Sequence, residues 1–298
     1  MSTNNSEELK NKALKELIGM GYIPLNIELV RCKDEIVVYR VKLEDKFAIL
    51  KMFLTNKYIR EIESYKILTR LKLPTVNIFN MSKMSILMED ILYSKNLRLG
   101  IREDMNNPKV MYNLGKWYKK LHLEGEKFVS NNTNIKMYSP LNYITIENIN
   151  KLATWTSTEN NLFWKLFRNN FNVIQNTLNT IPKTLTYNDF YFENLIVSKK
   201  YDSAFMFDFN FLGIGIRATD IKNALWFSDN EVKNEFLRGY EYIIPKIEFK
   251  IDEVIEPLDS LLVAKEKNIK PDWIIDIVTN LENGILARKL LELIKLLN

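Results

Sequence analysis

Tyr187-Asn188-Asp189-Phe190-Tyr191-Phe192-Glu193-Asn194, running on through Leu195-Ile196-Val197 and followed by Phe207-Asp208-Phe209, is the stretch that decides the fold. A polar turn, Lys199-Lys200-Tyr201-Asp202-Ser203, separates two apolar runs, which is the pattern of a β-hairpin. Folding it about Tyr201 is expected to set Asn194 opposite Asp208. Paired strands lie about 4.8 Å apart, and magnesium takes oxygen ligands at roughly 2.1 Å. An amide oxygen and a carboxylate on neighbouring strand ends can therefore share one ion. Asp189 sits one short loop upstream, placed to act as a base.

Phosphoryl transfer calls for these residue types. Charge spreads over the phosphoryl oxygens in the transition state, so catalysis rests on positioning and electrostatics, with metal bridging the phosphates and a carboxylate taking the acceptor's proton. Asn and Asp are also common in turns. It is their convergence on one hairpin that gives them a functional reading.

The stretch resembles the catalytic segment of the aminoglycoside phosphotransferases and the related choline-kinase-like small-molecule kinases, which share the protein-kinase fold. That family's loop usually runs His-Gly-Asp or His-Asn-Asp, then four residues, then Asn, with a metal-binding Asp on the next strand. The resemblance implies that Asp189 is the catalytic Asp, Asn194 a magnesium ligand, and Asp208 the metal-binding Asp at the kinase Asp-Phe-Gly position. Tyr187 departs from the pattern, standing where the family has His.

Upstream, Asn26 to Cys32 and Ile36 to Lys42 read as strands joined by the polar Lys33-Asp34-Glu35 turn, and Phe47 to Phe53 as a third. Lys51 is the one charge in that third strand, so it either reaches water or serves a buried anion. Thr55 or Asn56 is expected to cap a helix whose apolar residues Ile59, Ile62, Tyr65, Ile67, Leu68 and Leu71 recur at helical spacing before Pro74. By resemblance, Lys51 is the lysine that contacts the α and β phosphates, and Glu61 is the helix Glu that holds it, with Glu63 the alternative. The resemblance also assigns Asp34, or the backbone of its turn, to the phosphates. Ser85 to Ile91 becomes the strand and hinge, with the Glu89 carbonyl and Ile91 amide at the adenine edge.

Composition excludes several function classes. The chain has 298 residues, 46% of them hydrophobic, enough for a substantial core. Its polar start lacks the apolar core of a signal peptide, and no apolar run reaches the roughly 18 residues of a membrane span. Cys32 is the only cysteine, so no intrachain disulfide can form, and a cytoplasmic location is expected. One His and one Cys cannot build a clustered zinc site. His122 ends an amphipathic helix and reads as a packing residue. Net charge is +5 and the pI about 8.9, but no Arg-rich patch or motif points to nucleic acid.

Beyond residue 92 the pattern is mostly helical, with helices expected over 106–123, 164–180, 231–244 and 272–297. Asp220, after the Gly213-Ile214-Gly215-Ile216 loop, is expected to cap a helix; the resemblance implies instead that it braces the catalytic loop. Aromatic residues between Tyr138 and Trp164 are expected in the core or at an acceptor pocket. Residues 229–298 hold 14 acidic and 10 basic side chains. By resemblance, some of Asp252, Glu253, Glu256, Asp259, Asp272, Asp276 and Glu282 would bind a cationic acceptor.

The expectation is an α+β, bilobal protein-kinase-like fold: an N-lobe over residues 1–91 with a small antiparallel sheet, and a larger, mostly helical C-lobe over residues 92–298. ATP, with GTP left open, and Mg²⁺ are the implied cofactors. The implied activity is phosphorylation of a hydroxyl on a small, cationic molecule such as an aminoglycoside, which would make the protein an antibiotic-resistance enzyme. The alternatives are a choline, homoserine or thiamine type of kinase, or a kinase-fold binding protein with little turnover. Neither a nucleic-acid nor a membrane partner is expected.

Overall fold

A computed structural model describes residues 3–132, 135–226, 228–269 and 271–297. In chain order the elements are α1 (Thr3–Gly19), β1 (Asn26–Lys33), β2 (Ile36–Lys42), β3 (Phe47–Phe53), α2 (Arg60–Arg70), β4 (Ile78–Met81), β5 (Ser85–Glu89) and β6 (Leu97–Leu99). There follow α3 (Pro108–Asn131), α4 (Ile146–Trp155), α5 (Leu162–Asn169), α6 (Phe171–Thr180), β7 (Thr184–Thr186), β8 (Leu195–Ser198), β9 (Ala204–Met206) and β10 (Gly213–Gly215). The chain ends with α7 (Arg217–Leu225), α8 (Asn230–Tyr240), α9 (Lys246–Lys267), α10 (Asp272–Glu282) and α11 (Ile285–Leu297). The architecture is the expected α+β one, an antiparallel N-terminal sheet followed by mostly helical chain. Among the described residues no helix is long and apolar enough to cross a membrane.

The chain forms two compact units, each assembled from separate segments. The first comprises residues 1–120, 189–212 and 227–241. Its main sheet has strand order β1-β2-β3-β5-β4, with all neighbours antiparallel. One face buries Val37, Tyr39, Val41, Ala48, Leu50 and Met52 together with Leu9, Ala13 and Leu17 of α1. The spacing of those three α1 residues puts them on one helical stripe. Sequence reading missed this helix.

The first unit also carries a three-stranded sheet, β6-β8-β9. β8 and β9 form the expected hairpin, but Leu195 pairs with Met206, so Asn194 lies opposite Phe207, whose amide donates to the Asn194 carbonyl at 3.0 Å. Asp208 is one residue further along than expected. α2 begins at Arg60 instead of at Thr55 or Asn56. The Thr55 hydroxyl bonds to the Glu35 carboxylate at 2.9 Å and is thus committed to the β1–β2 turn.

The second unit comprises residues 121–188, 213–226 and 242–298. α9 is its central helix and packs against α4, α7, α10 and α11. Phe163, Trp164 and Phe167 are fully buried in its core, with Trp155 packed alongside. The expected 164–180 helix is two helices meeting at Asn170, and the 272–297 helix breaks at Gly284, which adopts φ +70°. The expected 231–244 helix stops at Tyr240, where Glu241 turns left-handed, and α9 was not expected. The segment read as a Gly213–Ile216 loop pairs with β7 as β10. Gly213 is required there, because a Cβ would collide with the Tyr138 carbonyl.

Candidate active site

In the first unit, β3 and α2 bring a buried charge cluster together. β3 pairs on both edges, and Lys51 points from it into the protein interior. Its ammonium lies 2.6 Å from Glu61 Oε2 and 3.0 Å from Asp208 Oδ1. Glu61 is fully buried in the first turn of α2, whereas Glu63 is exposed and paired with Lys66, so Glu61 is the partner of Lys51. Burial opposes the charge on Lys51, but the two carboxylates outweigh it and hold the ammonium above the ordinary lysine pKa. Burial pushes Glu61 up to about 7, with Lys51 pulling the other way.

Asp208 follows β9 with φ +60°, a left-handed conformation uncommon for a non-glycine residue. Phe209 anchors this turn. It is fully buried, edge-on to Tyr65 at 5.1 Å and stacked with Trp117 at 6.3 Å. Tyr65 lies one helical turn after Glu61 on α2, so one helix face supports both the lysine and the Asp208 turn.

Asp189 and Asn194 are also brought together. The Asn194 side-chain amide donates to the Asp189 backbone carbonyl at 3.2 Å and to its carboxylate at 3.3 Å. With Nδ2 committed to Asp189, the amide oxygen points the other way. That oxygen and the Asp208 carboxylate are hard donors of the kind magnesium takes. Among the described residues no cluster of three His, Cys, Asp or Glu side chains forms that could hold a metal, so a cation here would depend on the Asn amide. The donor set fits magnesium better than a softer metal.

In the second unit, the backbone leading into Asp189 is held by Asp220. This carboxylate, 1% exposed, accepts from the amides of Tyr187 at 2.8 Å and Asn188 at 3.1 Å, and contacts His122 Nε2 at 3.1 Å. Burial lowers the His122 pKa against the pull of Asp220, which favours a neutral ring donating Nε2–H. Asp220 lies in the first turn of α7 and braces the loop instead of capping the helix, whose N-cap is Ile216. Asn188 adopts φ +61°, pinned by its side-chain bonds to Thr186. Tyr187 is fully buried, so the loop is braced without a histidine at that position.

The remaining expected residues lie in the β1–β2 turn and at the end of β5, the strand paired with the Lys51 strand. Asp34 lies in the exposed β1–β2 turn, at φ +52°, and its ion pair is with neighbouring Lys33 at 3.9 Å. Glu89 ends β5, its amide bonded to the Asn77 carbonyl at 2.8 Å, and Ile91 is buried in the following turn. Sequence reading missed Asp90, which is buried between them, accepts from Arg40 Nε at 2.6 Å and from the Leu92 amide at 3.1 Å, and so fixes this turn. A charged residue at the end of an apolar strand was the available signal.

Of the expected acceptor carboxylates, Asp252, Glu256 and Asp259 share one face of α9 and line a cavity of about 120 Å³ with Tyr138, Asn188 and Ser260. Burial, with Glu256 and Asp252 adding to it, raises Asp259 to about 7. Burial also raises Glu256. Asp252 is bonded to Thr219 and Lys222, each at 2.5 Å. Glu253 and Asp276 line a second cavity of about 400 Å³ with Trp226 and Trp273. Asp272 and Glu282 are exposed and line neither.

No protein-family model matches the sequence, and no curated protein matches it. Solved structures do resemble it. A spectinomycin phosphotransferase in complex with ADP and spectinomycin aligns over 95% of this chain and 98% of its own, at 13% identity and a TM-score of 0.55. A macrolide 2'-phosphotransferase from Brachybacterium faecium aligns over 90% and 96%, at 12% identity and a TM-score of 0.61. An ethanolamine kinase from Plasmodium vivax aligns over 89% and 84%, at 15% identity and a TM-score of 0.55. At such identities the likeness is one of fold, and the chain has the kinase-like fold that these phosphotransferases share.

Proposed function

We propose that the protein is an ATP-dependent, magnesium-requiring O-phosphotransferase acting on a small, cationic, hydroxyl-bearing molecule. One observation carries this reading: the Lys51 ammonium lies within 3.0 Å of both Glu61 and Asp208, the latter 157 residues further on, while Asn194 and Asp189 face each other at the same open end of the hairpin that Asp208 follows. A buried lysine between two carboxylates carries a desolvation penalty, and such perturbed charge clusters concentrate at functional sites. The fold's occurrence in structures named as phosphotransferases supports the same reading.

In this mechanism Lys51, oriented by Glu61, binds the α and β phosphates, and the Lys33–Glu35 turn with Asp34 closes over them. The Glu89 carbonyl and Ile91 amide take the adenine edge, so residues 1–91 hold the nucleotide and residues 92–298 the chemistry and the acceptor. Asp208 and Asn194 would hold the magnesium ion, which when bound neutralises charge building on the phosphoryl oxygens. Asp189 accepts the proton of the acceptor hydroxyl as its oxygen takes the γ-phosphoryl group, and ADP leaves. The acceptor's cationic groups are assigned to Glu256 and Asp259, in a cavity also lined by Asn188, the residue before Asp189.

The test is magnesium-dependent ATP consumption across aminoglycosides, choline, homoserine and thiamine. Stimulation by at least one cationic acceptor is expected. An enzyme stimulated only by neutral or anionic acceptors would refute the cationic assignment, and one stimulated by none would favour a binding protein.

A further inference from the structure

Asn210 lies two residues beyond Asp208. Its Nδ2 donates to Asp208 Oδ1 at 2.7 Å, the same oxygen that receives Lys51 Nζ at 3.0 Å. This contact fixes the orientation of the amide, since the reverse would set its oxygen against a carboxylate oxygen. The unfavourable consequence falls at the other end: Asn210 Oδ1 is buried and has no hydrogen-bond partner among the described residues. Orphaned buried acceptors are rare because they forfeit their bonds to water. Asp208 itself holds φ +60°, a second unfavourable feature within three residues. Packing does not explain Asn210, because a leucine of similar volume would fill the space without orphaning an oxygen. What the amide adds is a second donor on Asp208 Oδ1.

We propose that Asn210 is a positioning residue that holds the Asp208 carboxylate in the orientation that binds a divalent cation, at the expense of fold stability. The inference rests on the proposed metal role of Asp208. Its test is ADP affinity measured by calorimetry with and without Mg²⁺ for wild type, Asp208→Ala, Asn210→Leu and Asn210→Ala, together with each unliganded thermal midpoint. Asn210→Leu should weaken Mg²⁺-ADP binding about tenfold and leave metal-free ADP binding unchanged. Its thermal midpoint should equal or exceed that of wild type, which loss of a merely structural residue would not produce. If the leucine variant does not fold, Asn210→Ala is expected to show the same tenfold, metal-specific loss. Wild-type Mg²⁺-ADP affinity in a folded Asn210 variant would overturn the inference, as would a metal-independent loss of ADP binding. Equal Mg²⁺-ADP affinity in wild type and Asp208→Ala would instead overturn the metal role of Asp208.

Discussion

Around Lys51 one ammonium is shared by two carboxylates, Glu61 at 2.6 Å and Asp208 at 3.0 Å, whereas around Asp259 three carboxylates crowd one face of α9 with Lys222 bonded to Asp252. The first cluster supplies its own counter-charge, and Lys51 stays protonated despite burial. In the second, burial and neighbouring acids raise Asp259 to about 7. Charge paired inside the protein is preorganised, so a ligand meets it without reorganisation. Charge left in excess favours an incoming cation and costs stability until one arrives. On the proposed function the two regions would take opposite ligands, an anionic nucleotide at Lys51 and a cationic acceptor at Asp259.

The largest effect is expected where chemistry, and not binding, is removed. Asp189→Asn should lower the turnover rate by about 10²–10⁴-fold, the usual worth of a general base, with thermal midpoint and ATP affinity near those of wild type. Full activity in this variant would remove Asp189 from the mechanism. Next, Asp208→Ala should abolish the extra stabilisation that Mg²⁺ adds to ATP binding, seen as a lost shift in thermal midpoint. An undiminished shift would break the first half of the comparison.

Lys51→Met and Glu61→Gln test whether the paired cluster acts as a unit. Each should impair ATP use, and the double variant should lose less than the sum, because contacting residues couple. Strict additivity in single-turnover rates would mean that the 2.6 Å contact does not orient the lysine.

The smallest effect concerns Asp259. A carboxylate raised from 3.8 to about 7 costs the folded state stability as pH rises through that window. Asp259→Asn should therefore raise the thermal midpoint at pH 8 by about 2–4 °C, the shift expected per kcal/mol in a chain of this order of size, and change it little at pH 4. The same variant should raise acceptor KM above pH 7, and in wild type that KM should climb as pH falls below 7. A thermal midpoint unchanged at pH 8 would mean that Asp259 carries no stored charge.

The hairpin and the Lys51 strand were legible because each is a polar interruption in an apolar run, and such interruptions need partners. What the sequence left open was the identity of distant partners. Glu61 and Glu63 are equivalent in pattern, and only the buried face of α2 separates them. Arg40 and Asp90 lie 50 residues apart, and nothing local links them. The hairpin register slipped by one because the turn about Tyr201 is set by Ser198, whose hydroxyl bonds to Asp202 and Ser203. β6 has three residues, too few for a periodic signal. The orphaned oxygen of Asn210 could not be foreseen, since it follows from a side-chain orientation chosen by Asp208.

The most direct test follows radiolabel from γ-labelled ATP in a single turnover, with the best acceptor from the panel, in wild type and Asp189→Asn, with and without Mg²⁺. Label should move to the acceptor hydroxyl only in wild type with Mg²⁺ present, while both proteins retain bound nucleotide. Transfer at the same rate in Asp189→Asn, or in wild type without a divalent cation, would contradict the assignment of this constellation as a magnesium-dependent phosphotransferase site.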